Sequence, residues 1–335
     1  MFDKPTIGGI SESRGIPPDE KRTAHFPEYF VFVVNSAGMW YTPFMKAGCR
    51  LCPLECGADR KTNKGLCGCT DKILIAKYGL HPYEEPCISF RNGSGTIFFS
   101  GCSLRCVFCQ NYTLSRAETG TETDAEGLAE IFRTLENAGA DNINLVTAAH
   151  FVPQLLAAFR IYRPKIPVVY NTHGYEKPEA VRALEPYVDV WLPDLKFCSP
   201  AISARYTGKA DYFFRASEAV SLMMEREPVF DNGKMLRGCI VRHLVLPLCT
   251  NDSLKIIDWF AARHSSSCFS LMGQYTPCGD IGAYPELSRK ITAREYRKVT
   301  NYLLDKGLEN VFIQSRTAAD DAYIPDFSAE KNSLF

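Results

Sequence analysis

What most limits the folds open to this chain is an alternation that begins near residue 95 and continues almost to the end. Seven short runs rich in β-branched and aromatic residues read as strands: 95–100 (GTIFFS), 142–147 (NINLVT), 167–171 (PVVYN), 188–192 (VDVWL), 240–246 (IVRHLVL), 268–274 (CFSLMGQ) and 310–314 (NVFIQ). Helix-like stretches lie between them at 124–137, 152–162, 178–184, 218–226, 254–263 and 293–306. In the first of these, Leu128, Ile131, Phe132 and Leu135 recur at helical spacing behind Asp124, a good N-cap. Strand, helix, strand, repeated six times, predicts an α/β protein of parallel βα units. A barrel or partial barrel is favoured over an open doubly wound sheet. No dinucleotide glycine fingerprint follows the first strand, and the chain has no phosphate-binding P-loop.

In such folds the reactive groups gather where strands end. The first strand runs into Gly101-Cys102 and a loop with three cysteines, the second into Thr147-Ala-Ala-His150, and the third into Asn171-Thr172-His173. In VDVWLPDLK, side chains alternate across the strand, so Val188, Val190, Leu192, Asp194 and Lys196 are expected on one face. An acid and a base then emerge at the mouth above three apolar residues. They can pair with each other, or they can grip the two charged ends of a zwitterionic ligand. The fifth strand carries Arg242 and His243 on opposite faces. An inward Arg242 calls for an anionic ligand or a partner carboxylate, because arginine is rarely buried alone. His243, like His150 and His173, reads first as a satisfied core histidine.

Fourteen cysteines are unevenly placed among the 335 residues. Five fall between Cys49 and Cys69 and three between Cys102 and Cys109, a clustering that suits metal ligation better than a disulfide framework. Cys49, Cys52, Cys56 and Cys67, with glycines between them, suit a small closed site for zinc or an iron–sulfur cluster. So short a segment has few apolar residues with which to order itself. Free thiols in a loop are the alternative. Cys102, Cys106 and Cys109 form a different pattern: three local thiols can hold three corners of a cubane cluster and leave one iron open.

GCSLRCVFCQN resembles the signature of the radical S-adenosylmethionine (radical SAM) enzymes, Cys-x3-Cys-x-aromatic-Cys, and in particular the pyruvate formate-lyase-activating-enzyme-like proteins. Further likeness lies in NINLVTAAHFVPQLL, PVVYNTHGYE, VDVWLPDLKF, VRHLVLP, SLMGQYTP and YIPDF. The resemblance implies a partial (βα)6 TIM-like barrel of the radical SAM type behind a small N-terminal Cys-rich segment. It implies that Cys102, Cys106 and Cys109 ligate a 4Fe–4S cluster and that Phe108 packs near the adenine of S-adenosylmethionine. Thr147 to His150 stand where that family has a Gly-Gly-Glu turn, so both are candidate ligand contacts. Asp194 and Lys196 match an Asp-x-Lys motif lining the S-adenosylmethionine site, and Arg242 matches an arginine touching the same ligand. Asn171 and Thr172 align with an Asp-Thr pair able to help hold a monovalent cation. Leu248 replaces the glycine that usually follows LVLP.

The implied activity is reductive cleavage of S-adenosylmethionine to a 5′-deoxyadenosyl radical. The radical would abstract hydrogen from a glycine of a partner enzyme. A small-molecule substrate, or a non-catalytic iron–sulfur or zinc protein, is the alternative. The implied partners are a flavodoxin- or ferredoxin-like electron donor and a glycyl-radical enzyme or other protein substrate.

Lys plus Arg and Asp plus Glu both number 38, so nucleic acid and anionic membrane are not expected partners. Residues 29–34 (YFVFVV) are too short to span a bilayer and lack the flanks of a signal peptide, which makes a cytoplasmic protein the expectation. The expected organisation is a poorly ordered extension at 1–44, a Cys-rich segment at 45–94, a core domain at 95–327 and a tail at 328–335. Met39 and Met45 are candidate starts.

Overall fold

The computed structural model describes residues 48–263 and 266–315. The expected extension at 1–44 and tail at 328–335 lie outside the described residues. Strands β1 (Ile73–His81), β2 (Ser94–Phe99), β3 (Thr121–Thr123), β4 (Ile143–Val146), β5 (Val168–Thr172), β6 (Val190–Pro193), β7 (Val229–Asp231), β8 (Lys234–Leu244), β9 (Cys268–Met272) and β10 (Val311–Ile313) form one sheet. Its order is β10-β9-β8-β6-β5-β4-β2-β1-β3, with β7 paired to β8. From β2 to β10 every neighbour is parallel. These strands follow one another in chain order without reversing direction, which is the barrel alternative and not the doubly wound one. β1 adds antiparallel to β2, and β3 adds to β1, so the sheet ends in a meander on that side.

Among the described residues, eight α-helices accompany the sheet: α1 (Tyr112–Ser115), α2 (Ala125–Asn137), α3 (Val152–Ile161), α4 (Pro178–Leu184), α5 (Pro200–Thr207), α6 (Tyr212–Met223), α7 (Thr250–Ala261) and α8 (Ala293–Asp305). The crossovers from β2 through β10 carry α2, α3, α4, α5 with α6, α7 and α8 in turn, which makes the partial (βα)6 barrel. Asp124 caps α2 by accepting the Gly127 N–H at 2.9 Å, and Thr292 and Glu295 form a capping box on α8. The helix expected at 218–226 starts earlier, at Tyr212. β1 falls inside the expected Cys-rich segment, so the second half of that segment is part of the sheet.

The period-two pleat sorts the strand residues into two cores. Ile143, Leu145, Val168, Tyr170, Trp191, Val241 and Phe269 face the helices in the main core. Val169, Val190, Leu192, Ile240 and Cys268 face the barrel interior, where Cys87, Ile88 and Met235 close the bottom. Contrary to the expectation from alternation, Val188 does not share the interior face with Val190 and Leu192. It precedes the strand and packs on the helix side, because the pleat begins only at Val190.

Candidate functional site

One step of the pleat above this apolar floor, the interior turns polar. Val169 gives way to Asn171, Leu192 to Asp194, Ile240 to Arg242 and Cys268 to Ser270, all at the C-terminal ends of parallel strands. These residues line a cavity of about 720 Å³. The same cavity is walled by Cys102, Cys106, Phe108 and Cys109 from the loop after β2, by Thr147 after β4, and by Thr172 and Lys196. Every expected cofactor contact except His150 therefore meets in one place.

His150 lies elsewhere. The short turn after β4 carries it behind the sheet, where it is buried beside Phe151 and its Nε2 is 2.8 Å from the Ser100 carbonyl. Burial pushes its pKa down to about 3, so the ring is neutral. His243 is likewise spoken for, between the Leu195 carbonyl (2.8 Å) and Ser253 Oγ (2.9 Å). His173 does line the cavity. Tyr175 N–H donates to its Nδ1 (3.1 Å), so the neutral ring's proton sits on Nε2 and points at Ser103 Oγ (3.1 Å). That bond ties the third strand end to the three-cysteine loop.

The charged cluster is tightly paired. Lys196 Nζ lies 2.6 Å from Asp194 Oδ2, while Arg242 donates through Nε to Asp194 Oδ1 (2.9 Å) and through Nη2 to Asn171 Oδ1 (2.6 Å). Burial alone would raise the Asp194 carboxyl, but Arg242 and Lys196 outweigh it and hold that group below the usual carboxylate range. A carboxylate that the strand pattern does not reveal completes the set. Glu84, from the segment before β2, accepts from Asn144 Nδ2 (2.9 Å) and lies 3.4 Å from Arg242 Nη1. Its neighbour Glu85 accepts from Ser270 Oγ (2.9 Å), and burial raises its pKa. HPYEEP lies outside the strand–helix repeat and carries no periodicity of its own. The unmatched inward arginine is the one sequence signal that such an acid exists.

Backbone and side-chain details brace the mouth. Gly174 has φ 77°, and a Cβ there would lie 2.4 Å from the Asp194 carbonyl oxygen, so only glycine lets these strand ends approach. Tyr212 is fully buried. Its hydroxyl accepts the Lys196 N–H (3.0 Å) beside the His173 and Asp194 carbonyls. Thr147, which opens the segment standing in place of the resembled family's Gly-Gly-Glu turn, and Leu248, which replaces a glycine, hold φ of 62° and 61°. The left-handed backbone persists there although a β-branched and a γ-branched residue are strained in it.

Behind the mouth, Glu176 is fully buried and accepts from Tyr170 (3.1 Å) and Thr172 (2.5 Å). Burial raises its pKa to about 7. The folded chain thus keeps a proton that the unfolded chain releases near the ordinary glutamate value. Stability is expected to fall as pH rises from about 4.5 to 7, by up to about 3 kcal/mol. Glu176→Gln should flatten that slope in denaturant titrations at several pH values. An unchanged slope would assign it to other groups.

Among the described residues, no three His, Cys, Asp or Glu side chains converge on a single ion. Cys102, Cys106 and Cys109 all line one wall of the cavity, as three ligands of a cluster with one open iron require. Burial raises all three thiols, Cys109 to about 11. Their soft sulfur donors fit a 4Fe–4S cluster, and the cation and carboxylate of Lys196 and Asp194 fit the amino-acid end of S-adenosylmethionine.

Residues 96–233 match the family described as the Radical SAM superfamily. The chain is 29% identical over 264 residues to an uncharacterised protein of Methanocaldococcus jannaschii, covering 75% of this chain and 72% of that one. Among solved structures, it is similar to a domain of a pyruvate-formate lyase-activating enzyme from Bacteroides vulgatus (13% identity, TM-score 0.34, 57% of this chain and 91% of that chain). It is also similar to a methylornithine synthase (13% identity, TM-score 0.37, 63% and 68%). No helix among the described residues is long and apolar enough to cross a membrane. Residues 96–233 thus form a domain of the radical SAM superfamily, a family whose cofactors are a 4Fe–4S cluster and S-adenosylmethionine.

Proposed function

We propose that this protein is a glycyl-radical activase-like enzyme, which takes a hydrogen atom from a partner protein. One observation carries the reading: the three thiols and the Asp194–Lys196–Arg242 array, far apart in sequence, line one cavity at the strand ends. When bound, the cluster and S-adenosylmethionine supply one-electron cleavage of the sulfonium and a 5′-deoxyadenosyl radical.

The chain's own part is to bind, orient and exclude water. Cys102, Cys106 and Cys109 hold the cluster. Phe108 packs edge-on against Phe197, Tyr206 and Tyr275, at centroid distances of 6.0, 6.0 and 6.3 Å, and so offers a fixed apolar surface to the adenine. Lys196 and Asp194 receive the charged ends of the amino-acid moiety. Arg242 keeps Asp194 ionised, and Asn171 with Glu84 fixes the guanidinium. Asn171 already accepts from Arg242, so the polar pair Asn171–Thr172 serves the ligand site more than a cation. Tyr83 (57% exposed) and Ile313 (37% exposed) both line the cavity while reaching its rim, an apolar edge suited to a docking polypeptide.

Anaerobically reconstituted protein with dithionite should convert S-adenosylmethionine to methionine and 5′-deoxyadenosine. Added to a glycyl-radical protein from the same organism, it should produce a glycyl signal in electron paramagnetic resonance. Cleavage with no glycyl signal on any such partner would move the assignment to a small-molecule substrate.

A further inference from the structure

We propose that Cys49, Cys52, Cys56 and Cys67 hold a second iron–sulfur cluster, which relays electrons to the site of Cys102, Cys106 and Cys109. The cysteines between Cys49 and Cys69 lie in a segment without helix or strand, and Leu51 is its only buried aliphatic residue. The other buried positions from 49 to 69 are Cys52, Arg60, Gly65, Cys67 and Cys69. Twenty-odd residues cannot order themselves on one leucine, whereas a cluster with four thiolates supplies the missing cross-links.

The four thiols are neighbours. Cys49 stands close enough to Cys56, and Cys52 to Cys49 and Cys67, for each to feel the other's charge. Cys56 Sγ and Cys67 Sγ both lie 3.4 Å from where a Cβ on Gly65 would sit. Gly65 has no positive φ, so its missing side chain leaves room between two sulfurs and does not serve the backbone.

Arg60 is the independent sign that negative charge belongs there. It is 5% exposed, yet its partners are carbonyls and a ring, not a carboxylate: Thr70 O through Nε (3.1 Å) and Nη2, His150 O through Nη1 (2.5 Å), and Phe151. A buried guanidinium needs an anion, and a thiolate-ligated cluster at the sulfurs of Cys49 and Cys67, which lie near Arg60, would place one there.

No three of these thiols converge on one ion, and the same holds for Cys102, Cys106 and Cys109. The adjoining three-cysteine loop, for which the family match implies a 4Fe–4S cluster, favours an iron–sulfur cluster here over zinc. The two sites touch: the Cys102 N–H donates to the Cys67 carbonyl at 3.1 Å, while Cys49 and Cys56, half-buried, face outward. One electron from a reduced flavin or iron–sulfur protein would reduce the second cluster. The same electron then passes to the first, and the second returns to its oxidised state with no proton transferred.

The relay rests on the radical SAM reading, whereas the existence of the second cluster does not. The test is iron, sulfide and zinc content of the anaerobically reconstituted full chain. A variant with Cys102, Cys106 and Cys109 all changed to alanine should keep about four irons against about eight in the wild type. Its reduced-cluster spectrum should not respond to S-adenosylmethionine. A well-folded triple variant without iron, or one zinc per wild-type chain, would overturn the proposal. Should that variant not fold, Cys52→Ser provides the converse readout: it should lose about half the iron. Cys52→Ser should still cleave S-adenosylmethionine with dithionite, but at least about tenfold more slowly with a reduced flavodoxin-type donor. Full iron content or an unchanged donor-driven rate would refute the site or the relay. Loss of cleavage in wild type would instead count against the radical SAM reading.

Discussion

Cys106→Ala is expected to abolish reductive cleavage of S-adenosylmethionine while leaving the barrel folded. Cys106 is buried on the cavity wall, and removing its sulfur vacates little volume, at a cost of about 1–2 kcal/mol. The loss of activity should far exceed the roughly 10–100-fold that follows when only an outer partner of a metal ligand is removed. The checks are 5′-deoxyadenosine by chromatography, iron content, and circular dichroism of the same sample. Wild-type cleavage in a variant of native spectrum would sink the cluster assignment.

Arg242→Ala should be the most destabilising single change in the cavity. It leaves Asp194 and Glu84 facing each other beside Glu85, with Lys196 as the remaining cation in the array. Breaking a buried pair this way costs about 3–5 kcal/mol. The pH dependence identifies the cause. Arg242 holds Asp194 below its usual range, so the stability it confers is complete at neutral pH and fades as pH falls and the carboxyl protonates. Denaturant midpoints for wild type and variant should therefore stay far apart at neutral pH and close fully only as pH falls below the ordinary aspartate value of about 3.9. Arg242→Lys restores charge without the fork that reaches Asp194, Asn171 and Glu84 together, and should recover only part of the loss. A constant gap across pH would mean that packing, not charge, is what Arg242 supplies.

The parallel strands were readable because each is buried on both faces and bounded by turn residues. β1 was not, since its buried face includes Lys77 and Gly79 and so hides its alternation. The β7–β8 hairpin did carry a signal: Asn232-Gly233, with φ of 48° and 85°, is the pair that suits a type I′ turn. α5 lacks an apolar stripe and gave no helical period to read.

At the site, residues at strand ends were found because topology alone delivers them to the mouth. Glu84 and Glu85 were invisible because they arrive on an irregular segment outside the repeat. The pairing of Asp194 with Lys196, one of two options open from spacing, is what the structure adopts. His150 went astray because a single turn of 3₁₀ helix after β4 rotates it out of the cavity.

The segment at 82–88 also orders events in time. Glu84 meets Arg242, and Glu85 meets Ser270, across separations of 158 and 185 residues. The barrel floor formed by Cys87 and Ile88 against Ile240 and Cys268 spans similar distances. Contacts of such range are the slowest to form, and on a ribosome they cannot begin until β8 has emerged or be completed until β9 has followed. The three-cysteine loop, made early, must wait in an unfinished pocket. Maturation of this protein is thus expected to be a late event, with cofactor loading following, not preceding, release of most of the chain.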